Sequence, residues 1–414
     1  MRRGIFILFF IFFAELALPQ GIVQWRGPDR NGIYPDKNLL KEWPEKRPEL
    51  ILEVGDLGGG YSTPVVYNNL IYITGVRDSF DIITAIEMDG TKKWQKPYGK
   101  AWYKTYPESR STPTIENGKI YLVSGMGEVV CVDSSTGNVI WKIDAQSLYK
   151  GEYLNWGIAE SVLLVDNAAI CTVGGNETTV IALDKNNGNL LWKSKNAGGA
   201  RAYASPLLIE ENGKKLVLAQ SSNDLIALNP ANGEVVWKYD LFQYHTNRMG
   251  KGANTNTPLF FNNEIFVTSG YDHPGTMFSL SDDWKSVTLK WKNDTLDCHF
   301  GGVVLVDGYI FGSNWTSNST GNWVCLDWKT GKTMYEHKWN NKGAVIAADG
   351  MLYLYEEKSG NVALVKPNPE KFELISYFKI DKGSGPHWAH PSIYNGNLLV
   401  RHGETLLVYN IHKS

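Results

Sequence analysis

The 414-residue chain has little cysteine and almost no net charge. Its four cysteines are Cys131, Cys171, Cys298 and Cys325, and none lies in a Cys-x-x-Cys pair, so the usual structural zinc and haem-attachment motifs are excluded. The 41 basic residues offset 43 acidic ones, giving a formal net charge of −2. Because no basic excess is available to neutralise phosphates, we expect no nucleic-acid partner.

Long hydrophobic runs are also scarce. An extended apolar run covers residues 5–13 and follows the basic start Met1-Arg2-Arg3, a pattern typical of a secretory signal peptide. We predict a signal peptide at residues 1–20 and an exported mature protein, periplasmic or extracellular, with no transmembrane span. No cysteine follows the run, so we do not expect a lipoprotein.

The sequence also lacks the usual short catalytic signatures. It contains no Gly-x-Ser-x-Gly elbow, no His-Glu-x-x-His pair and no phosphate-binding Gly-x-x-x-x-Gly-Lys loop. We therefore predict no catalytic residue of these classes.

Glycine and tryptophan, in contrast, are abundant, with 41 and 15 copies, and they mark an internal repeat. In the clearest copy, two β-rich segments are joined by Asn117-Gly118, which is a strong hairpin signal. A third β-rich segment leads into a tight Asp-x-x-Thr-Gly turn at residues 133–137, and a fourth contains Trp141. Each copy therefore predicts four short antiparallel strands.

The unit occurs eight times at a spacing of about 47 residues, which is within the range of propeller repeats. The residues that lead the first strand of each copy are Pro64, Pro113, Val162, Pro206, Pro258, Val303, Val345 and Pro391. We predict an all-β fold, an eight-bladed β-propeller of four-stranded antiparallel blades. The eighth copy ends before its fourth strand, and residues 49–54 are expected to complete that blade and close the ring. The predicted organisation is a signal peptide at 1–20, an N-terminal extension at 21–48 and a single propeller at 49–414.

Two cysteines fall at the same position of the repeat. Cys131 and Cys325 each follow a valine and precede an apolar residue and an aspartate, which predicts two buried free thiols. Export would permit disulfides, and the pairing stays open at this point.

The repeat carries a family resemblance. Its Cys-x-Asp-x-x-Thr-Gly-x-x-x-Trp turn at 131–141 resembles the pyrroloquinoline-quinone-like (PQQ-like) repeat of quinoprotein-type and BamB-like β-propellers. Residues 25–32, Trp-Arg-Gly-Pro-Asp-Arg-Asn-Gly, are similar to the start of exported bacterial members. The resemblance implies that the repeat aromatics pack between adjacent blades. These blade-docking residues are Trp94, Trp141, Trp192, Trp237 and Tyr335.

Ligands of a propeller meet the loops that precede the leading residues, because these loops open at the mouth of the central channel. The candidate binding residues there are Tyr61, Arg110, Trp156, Glu160, Arg201, Tyr203, Asn254, Asn256, His299, Lys342, His387, Trp388 and His390. This basic and aromatic set, with Glu160 as its main acid, suits an anionic planar ligand, a carbohydrate or a peptide segment. Alternatively, each residue is an ordinary solvated loop residue or blade-end cap. Two long polar-aromatic loops, 242–251 and 312–322, are further binding candidates.

The leading hypothesis is a monomeric, non-catalytic scaffold of the cell envelope that binds partner proteins or a small anionic or carbohydrate ligand. The resemblance also implies an alternative, a dehydrogenase of alcohols or sugars that uses PQQ and calcium. Calcium prefers hard oxygen ligands, and Glu160 could supply one. The adjacent-cysteine pair that the family's known dehydrogenases carry over the quinone is absent. We therefore expect no cofactor and no metal ion.

Overall fold

A computed structural model describes residues 21–413, and the predicted signal peptide lies outside this range. The strands form eight separate sheets, each with four consecutive or ring-closing antiparallel strands. A buried apolar cluster joins every pair of neighbouring sheets, including the eighth and the first, so the sheets close into a ring. The predicted eight-bladed β-propeller is confirmed.

The first eighteen strands are two N-terminal strands and the strands of blades 1 to 4. They are β1 (Ile33–Tyr34), β2 (Glu49–Val54), β3 (Val65–Tyr67), β4 (Leu70–Arg77), β5 (Phe80–Glu87), β6 (Lys92–Lys100), β7 (Thr114–Glu116), β8 (Lys119–Val123), β9 (Glu128–Asp133), β10 (Val139–Asp144), β11 (Leu163–Val165), β12 (Ala168–Thr172), β13 (Val180–Asp184), β14 (Leu190–Lys193), β15 (Leu207–Glu211), β16 (Lys214–Gln220), β17 (Asp224–Leu228) and β18 (Val235–Asp240). A four-residue helix, α1 (Ala145–Leu148), and a 3-10 turn, Phe242–Tyr244, follow blades 2 and 4.

Blades 5 to 8 contain the remaining strands. They are β19 (Leu259–Phe261), β20 (Glu264–Val267), β21 (Gly275–Leu280), β22 (Val287–Asn293), β23 (Val303–Val306), β24 (Tyr309–Ser313), β25 (Trp323–Asp327), β26 (Thr333–His337), β27 (Gly343–Ala348), β28 (Met351–Glu356), β29 (Asn361–Lys366), β30 (Glu373–Lys379), β31 (Ser392–Tyr394), β32 (Asn397–His402) and β33 (Thr405–Asn410). Among the described residues, no helix is long and apolar enough to cross a membrane.

The ring has two different faces. The hairpin face carries the tight turns between the first and second strands of each blade, such as Asn117-Gly118, where both residues have positive φ (49° and 74°) as a type I′ turn requires. The loop face carries the connections from one blade to the next and the loops between second and third strands. All of the predicted binding residues precede first strands, so they belong to the loop face.

The repeat tryptophans lie between neighbouring blades. Trp141 donates its indole N–H to the Lys185 carbonyl of the next blade (3.1 Å), and a Cβ added at Gly188 would come within 2.8 Å of the Trp141 ring. Trp192 repeats the arrangement on the following blade, with the Pro230 carbonyl as acceptor (2.9 Å). The turn glycine of one blade therefore makes room for the tryptophan of the blade before it.

Two N-terminal strands close edges of the propeller. Strand β2 pairs antiparallel with β33 and completes the eighth blade, as the sequence predicts. Strand β1 pairs in parallel with β27, so the seventh blade has a fifth strand that the sequence reading did not anticipate. Between them, Trp43 is buried against Tyr353 and Phe378 in the core shared by blades 7 and 8.

Residues 25–32, called the channel segment below, lie in the central channel. Arg30 donates to the Ser161 and Pro206 carbonyls (3.1 and 3.0 Å), and Arg26 donates to the Val303 carbonyl (2.6 Å). These acceptors belong to the starts of first strands on opposite sides of the ring. The segment therefore occupies part of the channel, a point on which the sequence alone makes no prediction.

Candidate functional site

Aromatic rings dominate the centre of the loop face. Trp388 lies in the middle of the first group, with ring centroids 5.0 Å from Tyr61, 5.5 Å from Tyr106 and 5.6 Å from Phe300. Trp388 and Tyr61 are half-buried, and the Tyr106 side chain is 53% exposed. Two of these residues are among the predicted set, and the structure brings them together from opposite ends of the chain.

The rings continue without a gap toward the middle blades. His299 contacts Phe300 (4.7 Å) and Tyr271 (4.7 Å), and the Tyr271 hydroxyl is 2.8 Å from His299 Nε2. Tyr271 stacks on Trp156 at 5.8 Å with an interplanar angle of 13°, and Trp156 contacts Tyr203 at 5.4 Å.

Together these rings form one continuous network of ring contacts, called the aromatic band, in which Tyr271 and Trp315 are buried and the other members are half-buried or exposed. Its members are Tyr61, Tyr106, Trp156, Tyr203, Tyr271, His299, Phe300, Trp315 and Trp388. The sequence reading missed Tyr106, Tyr271 and Phe300 as site residues, and it identified Trp315 only through its long loop. Phe300 directly follows a predicted residue, whereas nothing in the local sequence distinguishes Tyr271 from a buried core tyrosine.

One cation of the predicted set stays half-buried beside the band. Arg110 donates to the Tyr106 carbonyl, and its charge lies within electrostatic reach of Tyr61 and Tyr203. Burial lowers the pKa of Arg110, and the neighbouring Glu108 carboxylate opposes that shift. A guanidinium beside aromatic faces favours anionic or amide groups on whatever binds there.

The other predicted charges are taken up inside the protein. Glu160 and Arg201 form a buried ion pair (3.1 Å), and Glu160 also accepts from the Thr172 backbone N–H (2.9 Å). Lys342 is buried and paired with Glu357, whose pKa burial raises to about 7. These groups cannot meet a ligand without breaking a buried pair, so they do not form the basic mouth that the sequence suggested.

Four further predicted residues also point into the structure. Asn254 Oδ1 accepts a hydrogen bond from His245 Nε2 (3.0 Å), and Asn256 donates to the Cys298 carbonyl (2.6 Å). His387 contacts the Tyr355 hydroxyl (2.6 Å) and His390 contacts Arg26 (3.1 Å), and all of the predicted residues named here are buried. These side chains hold the loops rather than line a binding surface.

The residues present do not fit PQQ with calcium. Both carboxylate oxygens of Glu160, the one metal ligand that the resemblance offered, are occupied by Thr172 and Arg201. Within residues 21–413, no group of three or more His, Cys, Asp or Glu side chains is arranged to hold a metal ion. All four cysteines are buried, unpaired and distant in sequence, so the described chain offers no disulfide to cover a quinone.

Comparisons with known proteins agree with the architecture. A family model described as outer membrane protein assembly factor BamB matches residues 79–335, more than half of the chain. The chain is 24% identical over 268 residues to BamB of Shewanella oneidensis, covering 61% of this chain and 62% of that protein. It is 28% identical over 145 residues to the quinoprotein alcohol dehydrogenase PedH of Pseudomonas putida, covering 33% of this chain and 24% of that enzyme.

Solved structures show the same fold at low identity. BamB from Moraxella catarrhalis superimposes with a TM-score of 0.61 at 15% identity, covering 87% of this chain and 97% of that one. A europium-containing methanol dehydrogenase gives a TM-score of 0.65 at 13% identity, covering 91% of this chain and 88% of that one. Over the Shewanella oneidensis and Moranella endobia BamB sequences, the match spans 62% and 65% of the relative's length.

Proposed function

This chain belongs to the family of the outer membrane protein assembly factor BamB, and on that premise we propose that it is a non-catalytic scaffold that docks partner proteins during outer-membrane protein assembly. The proposed docking surface is the aromatic band at the centre of the loop face. The proposed site of action is the periplasm, which the protein would reach through the signal peptide at residues 1–20.

The observation that carries the proposal is the partial exposure of the band. Tyr61, Trp156, Tyr203 and Trp388 are half-buried and Tyr106 is 53% exposed, so part of each side chain is accessible while contacts with neighbouring rings hold it in place. Rigid, half-buried aromatic and arginine side chains are the residues that most often dominate protein–protein binding energy. Arg110 beside the band adds the charged member of such a surface.

A scaffold role also accounts for the burial of the charged residues in ion pairs. The Glu160–Arg201 and Lys342–Glu357 pairs use their charges on each other, which supports a structural rather than a chemical role for them. A catalytic carboxylate would need an oxygen within reach of a substrate. The dehydrogenase alternative gains no comparable support from the arrangement of these residues.

Site-specific photo-crosslinking tests the proposal. A photoreactive amino acid replaces Tyr106 in the band, and the matched control replaces Tyr377, which is equally exposed (56%) on the outer strand β30. In cells that carry the gene, we expect crosslinks from position 106 to components of the outer-membrane protein assembly machinery and none from position 377. Equal crosslinking at both positions, or crosslinks from 106 to unrelated proteins alone, would contradict the proposal.

Cell fractionation tests the location separately. We expect the protein in the periplasmic fraction and expect deletion of residues 1–20 to retain it in the cytoplasm. A protein that stays cytoplasmic with residues 1–20 intact would refute the export part of the proposal and leave the docking surface to be tested in vitro.

A further inference from the structure

The eight residues that directly precede the leading positions form a ring around the channel. Hydroxyl side chains occupy most of this ring but are absent on one side. The ring residues are Thr63, Thr112, Ser161, Ser205, Thr257, Gly302, Ala344 and His390. In the first part of the ring the hydroxyls of Thr112 and Ser161 bind the preceding blade, since Thr63 N–H donates to Thr112 Oγ1 (3.0 Å) and Thr112 N–H donates to Ser161 Oγ (3.1 Å). Hydroxyls are missing at the last three positions.

Arg26 of the channel segment fills the side of the ring that lacks hydroxyls. Its guanidinium donates to the Val303 carbonyl (2.6 Å) and the Val345 carbonyl (3.2 Å) and contacts His390 Nδ1 (3.1 Å). A Cβ added at Gly302 would come within 2.0 Å of Arg26 Nη1, so a serine or threonine at this ring position would displace the guanidinium from its present place. The ring residues of blades 6 to 8 are therefore matched to Arg26.

The contact with Arg26 determines which tautomer His390 adopts. A guanidinium has only donors, so His390 Nδ1 must accept and carries no proton. The proton is then on Nε2, which lies 2.8 Å from the Phe300 carbonyl and donates to it. Burial and the neighbouring Arg26 charge lower the pKa of His390 to about 3, in agreement with a neutral ring. His390 thus links the channel segment to the backbone of Phe300.

Phe300 and Trp388 are the two residues through which this link reaches the band. The Phe300 ring contacts Trp388 (5.6 Å), and Trp388 lies two residues before His390 in the same loop. Trp25, next to Arg26, also packs edge-on against the His390 ring (5.4 Å). A displacement of His390 would therefore move both members of the Phe300–Trp388 pair.

We propose that Arg26 is a positioning residue of the aromatic band, which it holds in its binding shape through His390 and the Phe300 carbonyl. This inference rests on the proposed function in one respect, which is that the band binds a partner. It makes the channel segment a conformational determinant of the loop face, although the segment itself has no member in the band.

The other arginine of the channel segment is a matched control. Arg30 is equally buried, but the carbonyls that it binds, Ser161 and Pro206 among them, belong to blades 3 and 4, and its other acceptors are Thr114 of blade 2 and Gln24. No hydrogen bond of the described chain connects Arg30 to His390 or Phe300. Loss of Arg30 should disturb the channel without disturbing the Phe300–Trp388 pair.

Fluorine NMR of 5-fluorotryptophan-labelled protein tests the link without any partner. The Trp388 resonance is assigned with Trp388→Phe, and circular dichroism checks the fold of every variant. We expect Arg26→Met to shift or broaden the Trp388 resonance and Arg30→Met to leave it within its linewidth. An unmoved Trp388 resonance in folded Arg26→Met, or equal shifts in both variants, would overturn the proposal.

A second pair of variants covers the case in which Arg26→Met does not fold. His390→Gln retains an amide N–H for the Phe300 carbonyl, whereas His390→Leu retains no donor. We expect the Trp388 resonance to shift in His390→Leu and to stay near its wild-type position in His390→Gln. Equal shifts in the two variants would refute the positioning role. Since no partner takes part in these measurements, their outcome is independent of the crosslinking test of the proposed function.

Discussion

Replacing Trp192 with alanine should lower the free energy of unfolding by about 3–5 kcal/mol, the usual cost of removing a large buried aromatic side chain. Trp192 is only 8% exposed and belongs to the apolar cluster shared by blades 3 and 4. Its indole N–H donates to the Pro230 carbonyl (2.9 Å), so the substitution also removes a hydrogen bond to the neighbouring blade. The cavity would lie at the joint between blades 3 and 4.

Equilibrium denaturation in urea, followed by far-UV circular dichroism, measures this loss. The control is Tyr377→Ala, which removes a 56% exposed aromatic from strand β30 and should change the free energy of unfolding by less than about 0.5 kcal/mol. Gly233→Ala approaches the same joint from the other side. Its φ of +72° disfavours a side chain, and the new Cβ would lie 2.3 Å from Trp192 Cε3, so we expect a loss of about 1–3 kcal/mol. A Trp192→Ala protein as stable as the wild type would refute the blade-docking role assigned to the repeat tryptophans.

Four further predictions concern the buried ionisable groups, the buried thiols and the cofactor. Glu160→Gln should lower the free energy of unfolding by about 3–5 kcal/mol, because it leaves Arg201 as an unpaired buried charge. The double variant Glu160→Gln/Arg201→Met should lose less stability than Glu160→Gln alone, and equal losses of stability would contradict the pairing. Burial raises the pKa of Asp297 from 3.8 to about 7, so its ionisation destabilises the folded state as the pH rises from about 4 to 7. The stability of Asp297→Asn relative to the wild type, measured by urea denaturation, should therefore be higher at pH 8 than at pH 5 by more than about 1 kcal/mol. A difference that is absent or reversed would show that Asp297 ionises normally. The four buried thiols should resist a thiol reagent in the native protein and react fully in denaturant, whereas fewer than four reactive thiols would reveal a disulfide. Excess PQQ with calcium should leave the melting temperature unchanged, and a calcium-dependent rise would restore the dehydrogenase alternative.

The propeller itself could be predicted because its determinants are local and repeated. The hairpin turns require positive φ, which Asn-Gly and Asp-Gly pairs supply, and the missing fourth strand of the last copy pointed directly to Glu49–Val54. The same weak pattern recurs eight times at one spacing, so the fold can be predicted even though single copies of the repeat lack some of its residues. The extra strand Ile33–Tyr34 went unpredicted, since two residues carry no periodic pattern.

The binding face was harder to predict because it depends on which loop residues turn inward. Sequence reasoning places these loops at one face but cannot distinguish a polar residue that lines the surface from one that caps the end of a blade. Glu160 and Arg201 are 41 positions apart, and only the fold shows that they neutralise each other. Tyr271 joins the band from a loop between second and third strands, which the sequence reading did not include.

The N-terminal residues supply hydrogen-bond partners to strand edges that ring closure leaves unpaired. The first strand of a blade has no neighbour on its channel side, so carbonyls at its start need donors from elsewhere. Arg26 and Arg30 each provide several N–H groups to these carbonyls, and neither forms an ion pair with a carboxylate in the described chain. Strand β2 covers the opposite rim of the eighth blade by ordinary pairing. Because buried guanidiniums are costly unless their donors are satisfied, the arginines fit only where several carbonyls converge, at the starts of the first strands. This requirement places Arg26 directly beneath the loop face, and it explains how a segment outside the repeats comes to contact the loops that carry the aromatic band.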